Sequence, residues 1–196
     1  NNTLAAGGTA NITNAGLFTT SSIGEIIVTG TVTQNGAGSN SIGANIFTTD
    51  NNINFATGIT LLESVQLSTG AGAGNITLTS TVNAEDLATG EGLTLLAGTG
   101  NITVTGSVGA TNPLGAINIT SANNVSFTDN VSAASFTQSA GTGTTTFNGT
   151  QNYTGNFVFT GENIIVNNAF NAGGYARITN QGLFTKNSTG VVTVTG

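Results

Sequence analysis

The run Gly100-Asn-Ile-Thr-Val-Thr-Gly-Ser-Val108 decides the fold, because the chain keeps returning to it. Close copies read Gly74-Asn-Ile-Thr-Leu-Thr-Ser-Thr-Val82 and Gly24-Glu-Ile-Ile-Val-Thr-Gly-Thr-Val32, and looser ones start at Asn51, Asn123, Gly143, Glu162 and Gly190. Successive starts lie roughly 19 to 28 residues apart, about one coil of a β-solenoid. Within each copy the residues alternate. The third position holds Ile26, Ile53, Ile76, Ile102, Val125, Thr145, Ile164 and Val192; the fifth holds Val28, Phe55, Leu78, Val104, Phe127, Phe147, Val166 and Val194. Between and after them stand mostly Thr, Ser and Asn. A period of two turns one set inward and the other outward along a strand.

A second short strand is predicted ahead of most copies, at residues 45–48, 59–62, 93–96, 117–120, 136–138, 157–160 and 177–180, and a third is marked by Val32, Val82, Val108 and Val131. Nothing of helical length shows a 3.6-residue period, which rules out helical repeats. The expected fold is therefore all-β: a right-handed parallel β-helix, or β-solenoid, of about seven to eight coils with two to three strands each. Its hand is taken from the preference of parallel crossovers. One coil cannot bury its own apolar face, but neighbours about 4.8 Å above and below pair every strand. Like then stacks on like, which predicts an inner aliphatic and Phe column, an outer Thr column, and an Asn ladder at Asn52, Asn75, Asn101, Asn124 and Asn163. Gly24, Gly74, Gly100 and Gly190 suit corners that need positive φ.

A longer repeat overlies the short one. Ile-Thr-Asn-Ala-Gly-Leu-Phe-Thr from Ile12 to Thr19 returns as Ile-Thr-Asn-Gln-Gly-Leu-Phe-Thr from Ile178 to Thr185. Residues 1–30 recur at 167–196 with a constant offset of 166 and no gap. Counting motif copies makes this offset seven coils, or on the order of 34 Å of rod. Residues 1–196 then read as a single solenoid that ends on the start of another unit. No polar capping coil stands at either end, and an uncapped solenoid exposes strand edges. The expected partner is the protein itself, as a head-to-tail homopolymer or a covalent tandem array. Its end-to-end interface would include Asn1, Asn2, Val194, Thr195 and Gly196.

Composition narrows the function. Only 5% of the 196 residues are charged, so solubility rests on Asn, Thr, Ser and Gly. The net charge of −6, with Arg177 and Lys186 the only bases, leaves no basic patch for nucleic acid. Without Cys or His there is no disulfide, thiol nucleophile or imidazole base. No apolar stretch approaches the roughly 18 residues that span a bilayer as a helix, so no membrane insertion is expected of this segment.

The runs Leu93-Thr-Leu-Leu-Ala-Gly-Thr-Gly-Asn-Ile-Thr-Val-Thr-Gly106 and Leu114-Gly-Ala-Ile-Asn-Ile-Thr-Ser-Ala-Asn-Asn-Val-Ser-Phe127 resemble the β-strand repeats of large bacterial surface proteins, of the filamentous haemagglutinin-like adhesin and autotransporter-passenger type. The resemblance covers most of the chain in repeat style. It implies a secreted right-handed parallel β-helix, located outside the cell or on the bacterial surface.

Chemistry has little to work with. Glu85, Asp86 and Glu91 form the only acidic cluster, a candidate Ca²⁺ site or acid pair whose plainer explanation is a solvated insertion between coils. Asn-x-Ser/Thr at Asn11, Asn75, Asn101, Asn118, Asn124, Asn148, Asn152 and Asn187 is read as a product of strand composition, as in Asn-Ile-Thr, with glycan attachment the alternative. The pairs Thr77/Thr79, Thr103/Thr105 and Thr193/Thr195 resemble ice-binding arrays, but Ile27, Asn54, Ala56 and Ile165 interrupt them. Tyr153 and Tyr175 are read as surface or corner residues. The sequence thus predicts a non-enzymatic structural repeat of a fibre or giant adhesin, with no cofactor and with lateral bundling. A polysaccharide- or host-surface-binding module is the alternative; an ice-binding solenoid or a carbohydrate-active enzyme ranks below both.

Overall fold

The computed structural model describes residues 3–87, 90–187 and 190–196. The chain winds as a parallel β-solenoid of about nine turns with no helix among these residues. Turn one carries β1 (Leu4–Ala6), β2 (Ala10–Ile12) and β3 (Phe18–Thr20); turn two carries β4 (Glu25–Val28), β5 (Val32–Gln34) and β6 (Asn40–Ile42). Turn three follows with β7 (Asn45–Thr48), β8 (Ile53–Phe55) and β9 (Ile59–Leu61), and turn four with β10 (Val65–Ser68), β11 (Ile76–Leu78) and β12 (Val82–Ala84). Turn five holds β13 (Leu93–Leu96), β14 (Ile102–Val104) and a lone bridge at Val108. Then come β15 (Leu114–Ser121), β16 (Val125–Phe127), β17 (Val131–Gln138), β18 (Thr144–Phe147), β19 (Gln151–Tyr153), β20 (Phe157–Gly161), β21 (Asn163–Val166), β22 (Phe170–Ala172), β23 (Ala176–Asn180), β24 (Phe184–Lys186) and β25 (Val192–Val194).

The strands stack into three faces, and the described pairs are all parallel. The first face runs β1-β4-β7-β10-β13, then the latter halves of β15 and β17, then β20 and β23. The second runs β2-β5-β8-β11-β14-β16-β18-β21-β24 without a break. The third runs β3-β6-β9-β12, crosses Val108 through its bridges to Val82 and Val131, and continues through the first half of β17 into β19, β22 and β25. β17 itself bends round a corner. Its alternation of buried and outward residues breaks at Ala134 and Ser135, which both face outward.

Nine turns exceed the seven to eight that motif counting suggests, and the reason is a difference of faces. The copies starting between Asn51 and Glu162 all form second-face strands, in register from Ile53 through Ile76, Ile102, Val125 and Thr145 to Ile164. The outer two do not. Ile26 pairs with Leu4 and Ile46 on the first face, and Val192 pairs with Phe170 on the third. Residues 59–62, expected to match residues 93–96, likewise lie on the third face; the true partner of Leu93 is Val65. Turn length follows the corners, from 19 residues at the Ile117–Phe136 register to 28 at Val65–Leu93.

The core changes character along the rod. Its first half stacks aliphatics such as Ile46, Ile53, Leu61, Ile76, Leu78 and Leu95, whereas the second half stacks rings. Phe127 lies flat on Phe147 at 5.5 Å, and Phe136 on Phe157 at 5.0 Å, with edge contacts between the two pairs. Each such side chain contributes on the order of 1.5–3 kcal/mol by leaving water. Inward polar residues are partnered in places: the buried Thr145 hydroxyl donates to Gln138 Oε1 at 2.9 Å, whereas the buried Asn40 Oδ1 accepts no hydrogen bond.

Candidate functional site

The predicted Asn ladder lies at the corner ahead of the second face, where each turn presents a backbone N–H. Asn52 Oδ1 accepts the N–H of Asn75 at 2.8 Å, and Asn75 Oδ1 that of Asn101 at 2.8 Å. Asn101 Oδ1 accepts both the N–H and Nδ2 of Asn124 at 3.1 Å. Asn124 Oδ1 accepts the N–H of Thr144 at 2.9 Å, and Asn163 Oδ1 that of Leu183 at 2.8 Å. Thr144 holds the level between Asn124 and Asn163 and interrupts the amide column there. A second column, missed in the sequence, follows the second-face strands. Asn167 Nδ2 donates to Asn148 Oδ1 at 2.6 Å, and Asn187 Nδ2 donates to Asn167 Oδ1. The signal was available, since an Asn directly follows Phe147, Val166 and Lys186 in three successive turns.

Of the acidic cluster, Glu91 is buried, and its Oε2 accepts the N–H of Glu85 at 3.0 Å, fastening the loop to itself. Asn112 Nδ2 reinforces it through the carbonyls of Ala84 and Glu85 at 3.2 and 2.8 Å. Among the described residues no group of three His, Cys, Asp or Glu could hold a metal ion. On the third face a groove of about 380 Å³ is lined by Ser107, Val108, Asn130, Ser132, Thr150 and Asn152 among others. Beside it, the Ser107 hydroxyl donates to Asp129 Oδ2 at 2.7 Å and, with the Asn130 N–H, holds that carboxyl below its usual pKa.

Two surface expectations need correcting. Tyr153 is not a surface residue: it is buried against Phe136, Phe157 and Phe170, and its hydroxyl donates to Gln151 Oε1 at 2.9 Å. Burial pushes this phenol well above its ordinary pKa. Tyr175 is exposed. The outward column of the motif copies runs on the second face, as Thr33, Asn54, Thr77, Thr103, Ser126, Thr146 and Ile165; Ile27 and Thr193 sit on the first and third faces.

The ends of the rod stand apart from its flanks. Leu4, Leu17, Leu183, Phe184, Val191, Val192 and Val194 include most of the exposed large apolar residues. An apolar hollow of about 60 Å³ opens at the last turn between Phe170, Ala176, Ile178, Phe184 and Val192. The 166-residue repetition allows Leu4, Val192 and Val194 to be compared with their own counterparts inside. Leu4 is 56% exposed, but its counterpart Phe170 is 4%; Val192 and Val194 are 51% and 42% exposed, but Ile26 and Val28 are 5% and 0%. What differs is whether a further turn covers them. Of the predicted end residues, Val194 and Thr195 lie on this terminal turn, where Thr195 Oγ1 donates to Gly173 O at 2.8 Å. Gly196 lies against Gly174. Asn1 and Asn2 fall outside the described residues.

No protein-family model matches this chain, and no curated protein or solved structure matches it.

Proposed function

We propose that the chain is a structural repeat of an extracellular bacterial fibre or giant surface adhesin, continuing end to end with further copies of itself. The observation that carries this is the 166-residue repetition, in which residues 167–196 repeat residues 1–30 in sequence and in strand pairing. Leu4, Val192 and Val194 are exposed on the end turns, whereas their counterparts one repeat away are buried beneath a further turn. Adding a turn pairs the open strand edges and removes Val192, Val194 and Phe184 from water, both favourable. The flanks suit a passive rod, being solvated by Thr, Asn and Ser with little charge to hold neighbouring rods apart. Bundling into a matrix follows from the same property.

Electron microscopy and fibre diffraction of the purified protein test the proposal. The expected result is thin rods with a layer line at about 4.8 Å along the axis. Short discrete particles that do not join at any concentration would overturn it.

A further inference from the structure

The turn count changes what the long repeat means. Residues 1–30 and 167–196 are identical at 18 of 30 positions, and the structure reproduces their pairing as well as their sequence. Leu4, Ala5 and Ala6 pair with Ile26, Ile27 and Val28; 166 residues later, Phe170, Asn171 and Ala172 pair with Val192, Thr193 and Val194. Smaller bonds recur too. The Thr29 N–H donates to Ala6 O at 3.1 Å and the Thr195 N–H to Ala172 O at 3.1 Å. Asn14 Nδ2 donates to Gly16 O at 2.7 Å and Asn180 Nδ2 to Gly182 O at 2.6 Å.

The two copies nevertheless occupy different faces. β1 lies on the first face and its counterpart β22 on the third; β2 on the second and β23 on the first; β3 on the third and β24 on the second; β4 on the first and β25 on the third. Every element has moved back by one face. With Val108 counted as one strand position and β17 as two, β1 to β22 is an advance of 23 strand positions, three to a turn. The repeat is therefore seven and two-thirds turns, not the seven that motif counting gives, and is about 37 Å long at about 4.8 Å per turn.

We infer that turn nine is continued by the next 166-residue repeat one face round, so that successive units are rotated by a third of a turn. The strand that covers β23 is then the next unit's β5, because β23 is the counterpart of β2 and β5 is what covers β2 here. Three units, 23 turns or about 110 Å, bring a given side chain back to the same face. Any feature of one flank, such as the corner loop between β12 and β13, is thereby presented on all three sides of the rod. A fibre built this way has no preferred lateral face, which suits a meshwork better than a flat ribbon.

This inference rests on the end-to-end reading above, and one experiment separates their failures. Six consecutive 166-residue repeats are produced as one chain with Leu87→Cys in each. Leu87 is exposed on that corner loop, and the native sequence has no cysteine. The thiols are labelled with small gold particles and the molecules imaged by cryo-electron tomography. The expected result is a continuous rod whose labels wind about it, spaced about 37 Å apart along the axis, with every third label on the same side. Continuous rods with all labels along one side would overturn the rotation but leave the rod. Separate beads joined by flexible necks would overturn the end-to-end reading itself.

Discussion

At the level of single residues, the amides that join one turn to the next are the most informative. Asn101 sits mid-ladder, its Oδ1 accepting two bonds from Asn124 while its own N–H donates to Asn75 Oδ1. Asn101→Ala leaves both Asn124 donors without that acceptor and costs about 1–2 kcal/mol, seen as a lower urea midpoint. Asn101→Asp keeps an acceptor in place and costs less; equal losses in the two variants would mean that the ladder contributes through packing alone. Tyr153 offers a second test through pH. Its buried phenol is held above the usual value, so the folded state keeps the proton longer than the unfolded chain does. Stability from this group is therefore complete below the ordinary phenol pKa of about 10 and falls as pH rises beyond it. Tyr153→Phe removes that alkaline decline. At neutral pH it costs about 1–3 kcal/mol, because the fully buried Gln151 Oε1 loses its donor. Urea unfolding of both proteins at neutral and alkaline pH reads the two effects separately.

Strands and corners fail in different ways when altered. Phe147 stacks on Phe127 and meets Phe136 and Phe157 edge-on, so Phe147→Ala opens a cavity shared by neighbouring turns and costs about 3–5 kcal/mol. A corner has no such slack. The glycines at 74 and 100 are needed for closeness rather than for positive φ, which among the motif glycines belongs to Gly24 and Gly190. A Cβ on Gly100 would stand 2.0 Å from the carbonyl oxygen of Gly74, whereas one on Gly7 would meet nothing within 4 Å. Gly100→Ala should cost about 1–3 kcal/mol and Gly7→Ala next to nothing, by thermal unfolding of the pair. The same contrast shows what the sequence could disclose. Alternation and spacing reveal the parallel stack, the inward column from Ile53 to Ile164 and the positions of the Asn ladder, because each is set within a single turn. Face assignment is not legible. Residues 59–62 and 93–96 show the same alternation, and only the corner lengths between strands decide that one belongs to the third face and the other to the first. The burial of Tyr153 is hidden for a related reason: it depends on the rings of three other strands, not on its neighbours in sequence.

At the scale of the whole solenoid, inward positions on the first and last described turns are exposed while the flanks are solvated. Val194 faces inward on the last turn, yet is 42% exposed because nothing covers it; Val28, its counterpart in turn two, is fully buried. A lysine at each position separates folding from assembly. In Val28→Lys an ammonium would be forced between turns with no carboxylate assigned to meet it, a cost of several kcal/mol, and the protein should fail to fold. In Val194→Lys the flexible chain can lift its charge into water in a single molecule, so circular dichroism and the urea midpoint should match the parent. Elongation is another matter, since the next unit would have to bury that charge at a site equivalent to Val28. Rods of the variant should shorten or vanish in electron micrographs. They should partly return at high pH, where the amine loses its proton above about 10.4. If Val194→Lys rods match the parent in length at neutral pH, turn nine is not the joining surface.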